Sequence, residues 1–193
     1  MQTSSKFWLV PAALLCAAAQ PMRAQVPLAR GASKIAAKPE EHSLAHDIHH
    51  QLLVLPYYSV FDFITFTLDG GKVTLTGQVV RPTLRTDAEG AVKSIEGVTA
   101  VNNRIEVLPK SAGDDELRRD VYRAIFEDKA LQRYAVSEVP AIHILLKEGR
   151  VTLEGPVASD GDKRLAATRA TGVTGVAGVK NNLVVRAKDA PTN

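Results

Sequence analysis

Apolar residues in this 193-residue chain follow a helical period in some segments and a strand period in others. Before Pro56, aliphatic side chains fall three or four residues apart and predict an amphipathic helix: Leu44, Ile48, Leu52 and Leu55. Apolar and polar residues then alternate, as in two strands joined by a turn at Gly70-Gly71: Ile64, Phe66 and Leu68, followed by Val73, Leu75 and Val79. A second helix and a last strand follow, separated by Gly97: Ala88, Val92 and Ile95, then Val101, Ile105 and Val107.

The second half of the chain repeats this succession at an offset of 78 residues. The hairpin positions Val73, Leu75, Gly77 and Val79 recur as Val151, Leu153, Gly155 and Val157. The first strand recurs as Ile142, Ile144 and Leu146, and the second helix as Ala166, Ala170 and Val173. Asp114 is the predicted N-cap of the repeated first helix, whose buried stripe is Leu117, Val121, Ala124 and Ile125. The repeat predicts an α+β fold of two tandem α-β-β-α-β modules, each a three-stranded mixed sheet with two helices on one face.

The repeated motif is a Gly-x-Val-Thr-Leu-x-Gly hairpin, then a helix, then Gly-Val-x-x-Val-x-Asn. It occupies 71–77 with 97–103, and 149–155 with 175–181. This motif resembles the BON domain, a bacterial family named for osmotically inducible and nodulation proteins. The resemblance implies a periplasmic or envelope protein that binds phospholipid and has no shared catalytic residues.

These patterns divide the chain into six segments. They are a signal peptide (1–24), a flexible tether (25–39), a first BON-like domain (40–108), a linker (109–113), a second BON-like domain (114–186) and a tail (187–193).

The N-terminal residues predict export to the periplasm. A basic residue precedes an apolar run from Phe7 to Ala19, which is too short to span a bilayer, and small residues follow it. Cleavage is predicted after Ala24, or alternatively after Ala19. The only cysteine, Cys16, lies inside this segment, and the bulky Leu15 before it argues against lipoprotein anchoring.

Charge and motif content exclude several function classes. Loss of the signal peptide removes Lys6 and Arg23 and lowers the net charge from +3 to +1, far from the strong positive field of a nucleic-acid binder. The predicted mature chain has no cysteine nucleophile, no Gly-x-Ser-x-Gly elbow and no phosphate-binding glycine loop. We therefore expect a protein that is not an enzyme, needs no cofactor and binds no nucleic acid.

Four aromatic residues cluster just before the first predicted strand: Tyr57, Tyr58, Phe61 and Phe63. Exposed at a domain edge, they would suit a lipid headgroup boundary or a groove that binds protein. Alternatively, the loop folds back and buries them as a small satellite core.

Four arginines surround the first helix of the second module: Arg118, Arg119, Arg123 and Arg133. Their guanidinium groups could bind anionic phospholipid headgroups. The alternative is a salt-bridged, solvated surface, because acidic residues are interleaved with them at helical spacing.

Four histidines lie along the first predicted helix: His42, His46, His49 and His50. Imidazoles at this spacing could share a metal ion. The alternative is a solvated helix face, and the second module has no equivalent histidines.

Several repeated residues have predicted structural roles. Asn103 and Asn181 are expected to satisfy nearby backbone groups, and Gly77 and Gly155 to mark close helix approach or strand bending. The outer sheet face of the second module, which includes His143, is partly apolar and is a candidate for the contact between the two modules.

Three functions are consistent with these patterns. The first is association with anionic phospholipid at the envelope, in osmotic or envelope stress protection, and it predicts marked salt dependence. The second is a periplasmic module that binds exported client proteins in an inter-domain groove, which predicts that the aromatic residues matter more than the arginines. The third is metal binding by the histidine helix.

Overall fold

A computed structural model describes residues 39–137 and 139–186. The predicted signal peptide, almost all of the tether and the C-terminal tail lie outside the described residues. The first module contains five elements in chain order: α1 (Pro39–Leu53), β1 (Phe63–Asp69), β2 (Lys72–Val79), α2 (Pro82–Lys93) and β3 (Ala100–Val107).

The second module repeats this order, with its longer connection before the first strand folded around a short 3-10 helix at Gln132–Tyr134. Its other elements are α3 (Ala112–Phe126), β4 (His143–Lys147), β5 (Arg150–Glu154), β6 (Pro156–Val157), α4 (Asp160–Thr171), β7 (Gly178–Asn181) and β8 (Val184–Val185). No helix within 39–137 and 139–186 combines the length and apolar character that crossing a membrane requires.

Each module has a mixed three-stranded sheet, as predicted. The orders are β1-β2-β3 and β4-β5-β7, and in both sheets the first pair is antiparallel and the second is parallel. Beyond Gly155, the second sheet continues as a short parallel pair, β6 with β8. The α+β class and the tandem α-β-β-α-β architecture are therefore confirmed.

Two hydrophobic cores lie between the helices and the inner sheet faces. In the first module, residues of α1 and α2 pack on those of the sheet, among them Ile48, Leu52, Leu84, Ala88, Leu75 and Ile105. The core of the second module is built from the equivalent positions, among them Leu117, Val121, Ala166, Ala170, Leu153 and Leu183. Alternation along each strand places these side chains on one face, so the sequence pattern translates directly into the core.

The start of α3 differs from the prediction. Ser111 is the N-cap, because its hydroxyl accepts the backbone N–H of Asp114 at 3.3 Å. Asp114 itself is buried in the first turn and its carboxylate accepts the N–H groups of Glu148 and Gly149, at 3.0 and 3.1 Å. The prediction that Asp114 caps this helix was wrong, because the β4–β5 turn offers the carboxylate two tertiary donors.

The repeated asparagines have the predicted structural role. Asn103 donates its side-chain N–H to the carbonyl of Arg85 at 2.7 Å and accepts the N–H of Ile105 at 3.1 Å. Asn181 makes the equivalent bonds to Lys163 and Leu183 at 2.7 and 3.2 Å. Each amide thus ties the last strand of its module to the second helix.

The repeated glycines allow the first two strands of each sheet to approach closely. Gly77 and Gly155 have φ values of 130° and 115°, and a Cβ atom on either would lie 2.0 Å from the carbonyl oxygen of Phe63 or Ala141. The close neighbour is therefore the start of β1 or the segment just before β4, and not a helix.

Candidate functional site

The loop between α1 and β1 is held by a buried carboxylate. Asp62 is 1% exposed and accepts the N–H of Val80 at 2.7 Å and the N–H and hydroxyl of Ser59 at 3.1 and 2.7 Å. These bonds connect the loop to the end of β2 and fix its shape. The four aromatic residues of the predicted cluster lie in and beside this loop.

The same loop joins the two modules. The carbonyl of Val60 accepts the N–H of Ile144 in β4 at 2.8 Å, and the Val60 side chain belongs to the core of the second module. Farther along the contact, Lys147 donates to Glu106 of β3 at 2.7 Å. A turn of the first module therefore covers the outer edge of β4 at this point.

The aromatic residues have separate environments. Tyr57 is 69% exposed and stacks under the guanidinium of Arg81, 4.7 Å from the ring centroid. Tyr58 and Phe63 flank the ring of His143, with centroid distances of 5.8 and 5.3 Å. Burial raises the pKa of Tyr58 to about 12, and its hydroxyl accepts the N–H of Ile64 at 3.3 Å.

His143 lies buried at the contact between the modules. Its ring is buried, and its Nδ1 atom has no hydrogen-bond partner among the described residues. Burial lowers the pKa of His143 more than the nearby Asp62 raises it. The predicted contact face of the second module thus meets the first module at this residue.

We expect acid to weaken this contact. The pKa of His143 is lower in the folded state than its value of about 6.5 in the unfolded chain. As the pH falls below about 6.5, the unfolded chain therefore binds a proton at His143 more readily than the folded protein does. The contribution of His143 to the free energy of unfolding is therefore fully present above about pH 6.5 and is lost as the pH falls through the folded pKa. The free energy of unfolding falls by at most about 1.4 kcal/mol per pH unit in this range. Denaturant melts between pH 7.5 and 5 should show a smaller decline for His143→Phe than for the unmodified chain. Parallel declines would contradict the assignment.

Phe61, the remaining aromatic residue of the cluster, lies against α3. Its ring makes an edge contact with that of Tyr122, with centroids 6.2 Å apart. Phe61, Tyr122, Arg119 and Arg123 line a surface concavity of about 430 Å³, which we call the arginine pocket. The fold therefore brings one predicted aromatic residue and two predicted arginines, which are far apart in sequence, into one site.

The two arginines of the arginine pocket differ in their ion pairs. Arg119 is exposed and takes part in none of the ion pairs between described residues. Arg123 is also exposed and pairs with Asp120 one turn earlier on α3. The pocket thus combines an aromatic wall with at least one unneutralised guanidinium group.

The other two predicted arginines have structural partners. Arg118 is 3% exposed, donates to the carbonyl of Leu146 at 2.8 Å and pairs with Asp115. Arg133 binds Asp162, which also accepts the hydroxyl of Tyr134 at 2.9 Å. Neither arginine lines the arginine pocket.

A second concavity, the inter-module groove, has a volume of about 520 Å³. In the first module its walls are the end of α1 and β1. In the second module they are the residues just before β4 and the β6–β8 pair. Apolar side chains dominate the lining, and they include Leu52, Leu53, Phe66, Pro140, Pro156 and Val184.

The family model for the BON domain matches residues 58–109 and 113–187. The chain belongs to the BON domain family. Both tandem copies that the sequence repeat predicted are thereby confirmed. BON domains are generally non-catalytic binding domains, and the family is associated with membrane or envelope interactions.

The solved structures that are similar to this chain include two of CdsD, a structural protein of the type III secretion system of Chlamydia trachomatis. The match to its C-terminal domain has 14% identity and a TM-score of 0.27, and covers 75% of this BON protein and 98% of that chain. The other has the same identity and TM-score, and covers 76% and 94%. No curated protein sequence matches this chain significantly.

The histidines of the first BON domain line a third, smaller concavity. His42, His46 and His49 face Phe66 there, and His50 does not take part. Burial lowers the pKa of His49, and His46, Arg186 and His50 lower it further. Within the described ranges, no three His, Cys, Asp or Glu side chains are arranged to hold a metal ion. Metal binding by this helix stays a prediction.

Two functional features of the BON domains were missed from the sequence. Tyr122 was not singled out, although it lies three residues after Arg119 and so shares a helix face with it. Asp62 was not singled out either, although a serine three residues before an aspartate is typical of a turn held by side chains.

Proposed function

We propose that this protein is a non-catalytic periplasmic protein that associates with anionic phospholipid at the envelope, in osmotic or envelope stress protection. Membership in the BON family supports the envelope role. The predicted signal peptide supports the periplasmic location. The arginine pocket is the observation that carries the choice of ligand.

The arginine pocket has the two kinds of group that a lipid headgroup region requires. The guanidinium groups of Arg119 and Arg123 can donate paired hydrogen bonds to a phosphate. The rings of Phe61 and Tyr122 beside them suit the boundary between headgroups and acyl chains. Asp120 is the opposing charge, since it already pairs with Arg123.

Reversal of both pocket charges should abolish most membrane binding. Each arginine near an anionic surface contributes about 1 kcal/mol, so Arg119→Glu with Arg123→Glu should weaken binding to anionic vesicles by about 30-fold or more. Co-sedimentation with phosphatidylglycerol-containing and purely phosphatidylcholine vesicles, at low and high salt, measures this. The unmodified protein should bind only the anionic vesicles, and high salt should release it.

The matched control reverses two exposed arginines of the first domain, Arg85→Glu with Arg104→Glu. It changes the net charge by the same amount but leaves the arginine pocket intact. We expect it to retain most of the binding. Equal losses in both double variants would show a general charge effect and would reject the pocket as the site, and salt-insensitive binding would reject the electrostatic mechanism.

A further inference from the structure

The outer edge of the first strand has a backbone partner in one module and not in the other. In the second module, the N–H of Ile144 in β4 is bonded to the carbonyl of Val60 at 2.8 Å, so the backbone of a turn from the first module covers this edge. In the first module, β1 is the equivalent edge strand of its sheet. Edge strands present unpaired backbone groups that can bind another strand.

The repeat identifies which backbone groups of β1 correspond to the bonded one. Ile144 is 78 residues after Phe66, and the same offset relates the glycines that contact the first strand of each sheet. A Cβ on Gly77 would meet the Phe63 carbonyl, so that carbonyl points towards β2. The backbone N–H and C=O of the next residue, Ile64, therefore point away from β2. Backbone groups of a strand alternate in direction, and Phe66 lies two residues after Ile64. Its N–H and C=O therefore also point to the outer edge.

The outer edge of β1 is open at this point. The Ile64 N–H is bonded to the Tyr58 hydroxyl at 3.3 Å. Among the described residues, Phe66 has no backbone partner outside its sheet and no side-chain hydrogen bond to its N–H. The position whose counterpart in β4 binds a backbone carbonyl is therefore unpaired in β1.

The inter-module groove runs beside this open edge. Phe66 and Ile64 line one side of it, and Val184 of β8 lines the other. Val184 is 57% exposed and Leu53 is 43% exposed, so apolar surface is available for alternate side chains of an added strand. A groove of about 520 Å³ accommodates a few such side chains.

The charged groups of the groove lining include one arginine and one glutamate, Arg186 and Glu154. Arg186 makes no ion pair within the described residues, whereas Glu154 accepts a hydrogen bond from Asn182. A carboxylate on the bound segment can therefore pair with Arg186.

We propose that the inter-module groove binds an extended peptide segment of another protein, which adds as a strand to β1 at Phe66. The segment carries apolar side chains at alternate positions and one acidic residue that pairs with Arg186. The evidence is the unpaired edge of β1 at Phe66 beside an apolar groove, and the equivalent edge of the second module accepts a backbone partner. This binding site is separate from the arginine pocket, so it does not rest on the membrane function.

The probe is a fluorescent ten-residue peptide of alternating valine and threonine with one glutamate near its end. Two further peptides carry N-methyl groups, one on every valine and the other on every threonine. Only alternate N–H groups of an added strand face the protein, so one methylated peptide should bind and the other should lose about tenfold or more in affinity. Hydrogen exchange should show the Phe66 amide slowed on saturation with the parent peptide.

Groove variants locate the site. Val184→Glu places a charge in the groove and should weaken peptide binding by about tenfold or more, with Leu53→Glu as a second variant at a different wall. Val136→Glu is the matched control, because Val136 is 84% exposed and lies outside the groove lining. Thermal melts establish that each variant is folded, and vesicle binding should be unchanged in all three.

Several outcomes would overturn the inference. Absence of binding up to millimolar peptide, or equal binding of all three peptides, would exclude strand addition. Loss of vesicle binding in Val184→Glu would identify the groove as a membrane site. Concentration-dependent self-association that Val184→Glu abolishes would identify it as an interface between copies of this chain.

Discussion

Replacing Gly77 with alanine is expected to lower the free energy of unfolding by about 3 kcal/mol, because backbone strain and overpacking act together. The φ of 130° lies in a region that side chains rarely adopt. The added methyl group would also lie 2.0 Å from the Phe63 carbonyl oxygen, so β1 and β2 would have to separate. Gly155→Ala should have a similar effect in the second module, where the Ala141 carbonyl is equally close.

Gly90→Ala is the matched control for these substitutions. Gly90 lies in α2, and a methyl group added there would meet open space, so alanine should raise stability by about 0.5–1 kcal/mol through helix propensity. Urea melts followed by circular dichroism measure all three variants. A Gly77→Ala protein as stable as the unmodified chain would show that β1 and β2 have more room than the structure gives them.

Replacing Asp62 with alanine is expected to cost about 3 kcal/mol and to loosen the contact between the modules. The substitution removes the acceptor of three hydrogen bonds, from the Val80 N–H and from the N–H and hydroxyl of Ser59. Because Asp62 fixes the loop that carries Val60, the bond between Val60 and Ile144 should also weaken. Hydrogen exchange at the Ile144 amide measures this second effect.

Asp62→Asn and Asp87→Ala separate the hydrogen bonds from general effects of charge. Asparagine keeps one side-chain carbonyl as an acceptor and should recover part of the stability. Asp87 is exposed in α2, so its replacement should change stability by no more than about 0.5 kcal/mol. Fast exchange at Ile144 in the Asp87→Ala protein would show that the amide does not report on the loop.

The loop between α1 and β1 connects the structural and functional proposals. It places Phe61 in the arginine pocket and Val60 on the edge of β4. It also holds Tyr58 against His143 at the wall of the inter-module groove. Changes in this loop should therefore affect both candidate binding surfaces, whereas Arg119 and Val184 affect one surface each.

The sequence was sufficient for the architecture of each module. Strand alternation and helical spacing are local properties, and a repeat at a constant offset doubles the signal for each element. The roles of Asn103 and Asn181 followed from the same logic, since a short amide beside a turn usually bonds to nearby backbone. The N-cap of α3 could not be predicted in this way, because the hydrogen-bond donors to Asp114 lie in a turn more than thirty residues away.

The tertiary structure alone decided how the predicted site residues combine. The sequence grouped Arg118 with Arg119 around one helix, but packing buried the first against Leu146 and left the second exposed beside Phe61. Similarly, the pattern placed Phe66 and Ile144 at equivalent positions, but only the docking of one module on the other shows that one edge is covered and one is open. Periodicity determines which face of an element is buried, whereas contacts between elements distant in sequence depend on the whole fold.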